Sequence, residues 1–571
     1  MTRCRPATSL ALGLAGVVVG TGSGCRPSEP DRTAAPIVQT AASTSKPPFV
    51  ERAQEAGIDF VWRSGHRERF LHPEILGGGV ALLDADGDGR LDIYLVQGGS
   101  LESSTEHRNA LFLNRGGGHF EDVSRGSGAD DGGYAMGVTA GDYDNDGDPD
   151  LYVTNVGPNV LLRNDGGHFT DVTDTAGVGD PSWSSSAAFV DYDADGDLDL
   201  YVCNYLHWSP SSERDCRNAY DSPDYCGPQA YAAPAPDTLY RNDGDGRFTD
   251  VTRDLGIDQS LGNGLGVTIG DFTGDGRLDI FVANDATMNL LWVRGADGRF
   301  RDEALKRGCA TDEAGQVKAG MGIGNADVDG DGDADLLVVN LQSETDSFFR
   351  NDDGLFRDET ARQSLATVSR RFTRFGTGFV DIDNDGRLDL FAANGRVRRQ
   401  GESFGDDPYA EPNLLYRGTS SGFMEWLPRG GTRSPLLLTS RGAAFGDLDD
   451  DGGIDVVVAN RDGPTNLLWN AIEDRGHWIA LRVLDEHGRD ALGAAVTIRS
   501  GERTIHRDVL AAYSYCSSND PRVHCGLGDA TTIEEVLVRW VDGAEDAFGP
   551  FDADQVVVIR RPGVGEAPAG P

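Results

Sequence analysis

Seven times along this chain an acidic nine-residue loop recurs with one internal spacing: DADGDGRLD from Asp84, DYDNDGDPD from Asp142, DYDADGDLD from Asp191, DFTGDGRLD from Asp271, DVDGDGDAD from Asp327, DIDNDGRLD from Asp381 and DLDDDGGID from Asp447. Aspartate holds the first, fifth and ninth positions and glycine the sixth in every copy, and aspartate holds the third in all but the fourth copy, where Thr273 stands. A run of charge ordinarily marks a solvated face. Solvation alone does not require acids at fixed offsets seven times over. The alternation matches the front half of an EF-hand loop, but that loop joins two helices and ends in a glutamate at position twelve. Here position twelve of the first copy is Leu95, and the residues after the loop read IYLV.

In a tight loop the side chains of positions one, three and five converge on one point, the seventh residue offers its backbone carbonyl, and the ninth closes the cage. Hard oxygen donors in a flexible ring suit Ca2+ better than Mg2+, and far better than Zn2+, which prefers His or Cys. The expected ligand sets are Asp84, Asp86, Asp88, Arg90 and Asp92; Asp142, Asp144, Asp146, Asp148 and Asp150; Asp191, Asp193, Asp195, Asp197 and Asp199; Asp271, Thr273, Asp275, Arg277 and Asp279; Asp327, Asp329, Asp331, Asp333 and Asp335; Asp381, Asp383, Asp385, Arg387 and Asp389; and Asp447, Asp449, Asp451, Gly453 and Asp455. Up to seven Ca2+ are expected, the fourth site being the weakest because Thr273 is neutral.

An apolar run follows each loop (IYLV, LYVT, LYVC, IFVA, LLVV, LFAA, VVVA) and a shorter one precedes it, so each loop is expected to join two antiparallel strands. A second motif then follows, as in NVLLRNDGGHFTDVT and DTLYRNDGDGRFTDVT: a strand, a Gly-Asp-Asn turn and a strand carrying Phe, which is a hairpin. The seventh copy, NLLWN at Asn466, stops before its Phe strand. The missing piece stands at the other end of the repeats, where PFVERAQEAGID begins at Pro48. Such a permutation is ring closure, which leaves only short protected edges. The expected fold is all-β: a seven-bladed propeller over residues 49–470. A linear array of repeats does not explain the permuted ends.

The formal net charge of −42 excludes a phosphate backbone as partner, because neutralising phosphate needs a basic surface. With 76 glycines and 38% hydrophobic residues, the composition suits a turn-rich β protein. The N-terminus carries Arg3 and Arg5, an apolar run from Leu10 to Val19 and small residues up to Cys25, which is a signal-peptide layout. Gly22-Ser23-Gly24-Cys25 resembles a bacterial lipobox, implying lipidation of Cys25; an ordinary cleaved secretory signal is the alternative. Residues 1–25 are therefore read as a lipoprotein-type signal and 26–48, rich in Pro, Ala, Ser and Thr, as a flexible tether. The expected location is the bacterial cell envelope or surface, or the secreted medium, with the N-terminal lipid as the sole membrane contact.

The tail reads as short strands, HWIALRVL, AAVTIRS, RTIHRDVL, EEVLVRW and QVVVIRR, forming a small β domain over 475–562, with 563–571 a disordered tail. The loops with their hairpins resemble FG-GAP/VCBS repeats, the units of integrin α-subunit propellers, and the tail resembles an ASPIC/UnbV domain. That pairing, in that order, is similar to the family of cartilage acidic protein and its bacterial relatives. The resemblance implies an extracytoplasmic, calcium-binding interaction or adhesion protein; it carries no secure enzymatic activity. No EGF-like cysteine module is present, so a cartilage-matrix role does not carry over. Cys516 and Cys525 stand where the family more often has bulky apolar residues, and a disulfide between them is expected in an oxidising compartment. Among the six cysteines beyond Cys25, fifteen pairings are open. Cys216 with Cys226 is the local favourite, and Cys203 with Cys309 follows by elimination.

Strands that run up and down place the acidic loops on one end of a propeller and the long connections 203–236, 365–375 and 395–412 on the other. Partners are expected there, since function favours elaborated loops on a rigid scaffold. The insertion gathers Tyr205, His207, Trp208, Tyr220, Tyr225 and Tyr231, either as a stacking surface or as its own miniature core. Arg370, Arg371, Arg374, Arg396, Arg398 and Arg399 form either an anion site, as for a carboxylated glycan, or pairs with Glu402, Asp406 and Asp407. GTSSG, Gly418 to Gly422, matches a nucleophile-elbow pattern but lies in a turn without strand-to-helix context. The remaining alternatives to a binding protein are a glycan-active enzyme with a carboxylate pair in the central channel and an accessory factor of a biosynthetic pathway.

Overall fold

The computed structural model describes residues 46–101, 107–401 and 403–563, and these form one compact unit. The signal segment, all but the last three residues of the tether and residues 564–571 lie outside the described residues. Between 49 and 470 the chain folds into seven four-stranded antiparallel sheets. Sheet 1 comprises Val80–Leu83, Asp92–Leu95, Ala110–Asn114 and Phe120–Asp122. Sheets 2 to 6 fall within 135–171, 184–250, 264–302, 323–358 and 374–425. Sheet 7 joins Ser440–Gly446, Asp455–Asn460 and Asn466–Asn470 to the N-terminal strand Phe49–Glu51. The first strand of each sheet neighbours the first strands of the sheets before and after it, and that of sheet 7 neighbours that of sheet 1, so the ring is closed. This is propeller architecture.

The strands form where the sequence predicts them, for a packing reason. Second strands such as Asp150–Asn155 and Asp199–Asn204 are buried at every residue, so both faces must be apolar and alternation disappears. Closure is made by the permuted strand: Phe49 pairs with Asn470, Val50 with Trp469 and Glu51 with Leu468. Phe49 is 1% exposed and packs edge-on against Phe391 in a cluster with Leu415, Ile454 and Leu468.

The C-terminal domain has a three-stranded sheet ordered Val523–Gly528, His477–Leu484, Gln555–Arg560 and a four-stranded sheet ordered Arg503–Asp508, Ala495–Ser500, Glu535–Arg539, Glu545–Phe548. Ile479, Leu481, Val496, Ile498, Val536 and Trp540 share its core. The domain sits on the acidic-loop end of the propeller. Arg522 donates to Asp450 Oδ1 (2.6 Å) and to the Asp447 carbonyl (2.7 Å), Gly476 N–H to the Asp383 carbonyl (2.9 Å) and Gly528 N–H to the Asn384 carbonyl (2.9 Å). Arg539 lies 3.3 Å from Asp271 and Arg482 3.7 Å from Asp84.

From this domain the segment 511–519 enters the centre of the ring. Ser514 and Ile323 of sheet 5 exchange both backbone hydrogen bonds (2.7 and 2.9 Å), Ser518 bonds Val80 and Leu82 of sheet 1, and Cys516 accepts from Val138 N–H of sheet 2 (3.2 Å). Ser514 Oγ donates to the Ala443 carbonyl of sheet 7 (2.7 Å), Cys516 N–H to Ser186 Oγ of sheet 3 (3.0 Å) and Tyr515 OH to the Leu76 carbonyl (2.7 Å). The close fit depends on small residues: a Cβ on Gly79 would lie 2.0 Å from the Cys516 carbonyl oxygen. The segment thus bonds to strands of sheets 1, 2, 3, 5 and 7 from inside the ring. Among the described residues no helix is long and apolar enough to cross a membrane.

Cys216 and Cys226 form a disulfide, as expected. The other two pairings do not form: Cys203, Cys309, Cys516 and Cys525 are buried free thiols. Cys516 belongs to the channel segment, whereas Cys525 lies on Val523–Gly528 in the core of the C-terminal domain, so their short sequence separation spans two environments. Cys203 packs with Leu239 and Val282, and Cys309 with Phe281 and Phe356, in separate clusters.

Two outcomes are expected. Phe49→Ala should destabilise the protein by about 3–5 kcal/mol, the cost of truncating a fully buried Phe, read from urea denaturation. Alkylation in denaturant without reductant, followed by peptide mass spectrometry, should label Cys203, Cys309, Cys516 and Cys525 and leave Cys216 and Cys226 linked.

Candidate metal centre

Each acidic loop is held by its own carboxylates before any ion is considered. The first aspartate accepts the N–H of the sixth-position glycine: Gly147 to Asp142 Oδ2 at 2.9 Å, Gly276 to Asp271 at 2.8 Å, Gly452 to Asp447 at 2.7 Å. Gly147 sits at φ +99° and Gly452 at +83°, a region that disfavours side chains. The seventh residue donates its N–H to Oδ1 of the fifth aspartate, as in Asp148 to Asp146 (3.0 Å) and Arg387 to Asp385 (2.9 Å).

The ninth aspartate opens the second strand and is buried. Asp150 Oδ2 accepts from Tyr143 N–H (3.0 Å) and Oδ1 from Asn164 N–H (2.8 Å), so one side chain ties the loop to the third strand. Asp92, Asp199, Asp335, Asp389 and Asp455 repeat the arrangement. In the fourth loop Asp279 accepts from Arg294 N–H (3.0 Å), and its Oδ2 is buried without a partner.

The third position differs in kind. Oδ1 of Asp86, Asp144, Asp193 and Asp383 and Oγ1 of Thr273 are buried and have no hydrogen-bond partner among the described residues; Oδ1 of Asp84 is in the same state. Buried polar atoms are rarely left so. Three carboxylates bring one oxygen each within 4.8 Å of the others in several loops, among them Asp84, Asp86 and Asp92; Asp142, Asp144 and Asp146; Asp191, Asp193 and Asp199; Asp327, Asp329 and Asp335; and Asp381, Asp383 and Asp385. Desolvation, reinforced by neighbouring aspartates and opposed by the backbone donors, pushes Asp92 up to about 7, Asp335 to about 8 and Asp199 to about 9. Crowded, desolvated carboxylates with orphaned oxygens fit a hard cation. Arginines close the outer rim, Arg115 reaching Asp86 at 3.0 Å and Arg350 reaching Asp329 and Asp331.

Sequence reasoning missed an asparagine that couples the loops around the ring. Asn164 of sheet 2 donates from Nδ2 to the Pro149 carbonyl in its own loop (3.1 Å) and to the Ala85 carbonyl in the loop of sheet 1 (2.9 Å). Asn114, Asn242, Asn351 and Asn470 likewise bridge their own loop and that of the preceding sheet, through Leu448, Tyr143, Phe272 and Ile382. The signal was present in the hairpins, as the Asn of LLRN, LYRN and LLWN. Sheets 4 and 6 carry Arg294 and Gly418 at that position.

On the opposite end, the insertion packs rather than presents. Tyr205 and Tyr225 are fully buried, Tyr205 OH bonding Asp285 (2.6 Å) and Tyr225 OH bonding Glu74 (3.1 Å); Trp208 and Tyr231 are half-buried against Glu213. Tyr220 is 68% exposed and His207 is exposed. The arginines divide in the same way. Arg374 is buried on Asp346, Arg396 on Glu411 (3.1 Å), and Arg399 lies 3.7 Å from Asp224; Glu402 lies outside the described residues. Arg370, Arg371 and Arg398 are exposed. Gly418 to Gly422 form the turn between Leu414–Thr419 and Gly422–Glu425, with no helix following.

Fold and loops together define a β-propeller protein built from FG-GAP-like repeats: residues 84–153, 142–202, 230–282 and 327–392 match that family, and residues 485–566 match the ASPIC and UnbV family. The chain carries both modules and is similar to cartilage acidic protein 1. Cartilage acidic protein 1 of Xenopus tropicalis is 26% identical over 309 residues, covering 52% of this chain and 44% of that protein. The Homo sapiens protein is 25% identical over 354 residues, covering 56% and 48%. The chain thus spans about half the length of the curated relatives it matches. Among solved structures, an Agrocybe aegerita protein described for specific recognition of non-reducing terminal N-acetylglucosamine aligns with 68% of this chain and 86% of its own at TM-score 0.36 and 17% identity. YCF48 bound to D1 peptide aligns with 77% and 100% at TM-score 0.40 and 9% identity.

The ninth-position carboxylate is structural. Asp199→Ala strands two buried N–H groups and should destabilise the protein by about 2–4 kcal/mol even in excess chelator, measured by chemical denaturation.

Proposed function

We propose that this protein is an exported, calcium-stabilised interaction protein that offers the end of its propeller opposite the acidic loops to a protein or glycan partner. The observation that carries the calcium reading is the recurring buried third-position oxygen without a partner among the described residues, beside the carboxylates of position one and of position five or nine. The donor set is all oxygen and flexible, which is the preference of Ca2+. In the first loop Asp84, Asp86, Asp88 and Asp92 would hold the ion with the carbonyl of Arg90, and the six other loops follow the same positions. A bound cation supplies charge compensation to carboxylates already taken out of water.

The C-terminal domain directs partners to the far end. Its contacts occupy the loop end, and 511–519 fills the channel, so the connections 203–236, 365–375 and 395–412 are the elaborated surface left open. Export and the lipid at Cys25 are read from the N-terminal sequence. A binding role is favoured over a catalytic one because a backbone-bonded segment, 511–519, crosses the centre of the ring.

Calcium binding should stabilise the folded state by linkage, about 2.7 kcal/mol for each site held at a hundredfold excess over its Kd. Excess chelator should therefore lower the melting temperature, Ca2+ should restore it and Mg2+ should restore far less. Asp144→Ala should reduce this calcium-dependent increment while leaving the melting curve in chelator nearly unchanged, in contrast to Asp199→Ala. A melting curve indifferent to chelator would refute the calcium reading.

A further inference from the structure

A cavity of about 250 Å³ opens on the end opposite the acidic loops, between the insertion at Cys226–Gln229 and the connections that follow the second strands of sheets 4, 5 and 6. It is small, the size of a metabolite rather than of a peptide groove. Four polar groups in its lining have bonding capacity to spare. His72 is 2% exposed, and its Nδ1 has no hydrogen-bond partner among the described residues. Arg398 is exposed and, among the described residues, donates no hydrogen bond and makes no ion pair. Asp285 accepts Tyr205 OH on Oδ2 and Glu344 accepts Ala319 N–H (3.0 Å) on Oε2, leaving the other oxygen of each without a donor among the described residues. The other two cations of the lining are engaged, Arg396 with Glu411 and Lys318 with Thr345, Ser347 and the Asp346 carbonyl.

The four are electrostatically one cluster. Glu344 raises Asp285, which stands at about 6 chiefly through desolvation, and Arg398 acts on both Asp285 and His72. Burial, with Arg398 nearby, pushes His72 down to about 3, so its ring is neutral and a ring nitrogen can accept. Val317, Met321, Leu341 and Val397 supply an apolar wall. The cavity wall is also built: the Cys216–Cys226 disulfide anchors the insertion at its edge, and Gly227 makes room for Arg398, whose Nη2 would lie 2.8 Å from a Cβ there.

One unpaired cation beside two carboxylates does not suit a simple anion. We propose that this cavity binds a small zwitterion of the α-amino-acid class, its carboxylate on the Arg398 guanidinium, its ammonium between Asp285 and Glu344 with His72, and an apolar side chain on the Val317–Leu341 wall. A planar guanidinium takes a carboxylate in two parallel hydrogen bonds. An ammonium between two carboxylates relieves their mutual repulsion. The proposal goes beyond the reading of that end as a partner surface, and it is independent of calcium occupancy.

The test is calorimetric titration of the full chain with L-leucine and L-methionine, alongside N-acetyl-L-leucine, L-leucinamide and D-glucuronate. At least one free amino acid should bind, and the N-acetyl and amide forms, each lacking one charge, should bind about tenfold or more weakly, one contact of roughly 1.4 kcal/mol. Arg398→Gln and Glu344→Gln should each weaken binding by a similar factor. Because Arg398 holds no other group, its variant should melt as the parent does, which separates lost binding from lost folding; Arg253→Gln is the surface control. No binding by either amino acid, equal binding of the N-acetyl form, preference for D-glucuronate, or unchanged affinity in Arg398→Gln would each overturn the proposal. The chelator response of the melting curve is unaffected by any of these results, so the two readings fail separately.

Discussion

The ring depends on a buried carboxylate that holds backbone on two sides. In six of the seven loops the ninth aspartate accepts N–H groups from the second loop residue and from the third strand, fixing loop and strands as one piece. A buried carboxylate with two such bonds is strongly destabilised by the loss of either. Five hairpin asparagines then join their loops to the preceding sheet, so the acidic loops are also joints of the ring. Ions at positions one, three, five and nine would lie within this same lattice of backbone bonds. Bound there, cations would offset the density of charge in the loops.

The C-terminal domain completes the loop end rather than decorating it. Arg482, Arg507, Arg522 and Arg539 face acidic loops, and the Arg507 and Arg522 side chains reach loop carbonyls. In a protein with a net charge of −42, such a set of arginines on one face is a device for docking against acid. The channel segment adds hydrogen bonds to first strands of several sheets, so the two modules share a core. Their union leaves one end of the propeller exposed, the end that carries the disulfide-pinned insertion and the cavity.

Much of this was legible in the sequence. The repeats, the strands after each loop and the closing strand at Phe49 could be read because each is local: spacing within nine residues, an apolar run, or a motif missing half of itself. The aromatics of the insertion left two readings open, and burial of Tyr205 and Tyr225 decided between them. The docking of the C-terminal domain and the course of 511–519 could not be read, because they rest on surface complementarity between segments hundreds of residues apart. The pairing of Cys516 with Cys525 failed for that reason, since one thiol is carried into the propeller and the other stays in its own domain. Likewise Arg374, Arg396 and Arg399 found Asp346, Glu411 and Asp224, acids supplied by tertiary structure rather than by the nearest sequence.

The central claim is that the acidic loops are ion sites built into the joints of the ring. Long-wavelength anomalous diffraction from crystals grown with calcium tests it most directly. The account predicts anomalous peaks inside the loops, each ligated by side chains of the first, third, fifth and ninth positions, with the weakest peak beside Thr273. Loops that hold only water, or third-position carboxylates turned outward onto Arg115 and Arg350 with no peak between them, would contradict it.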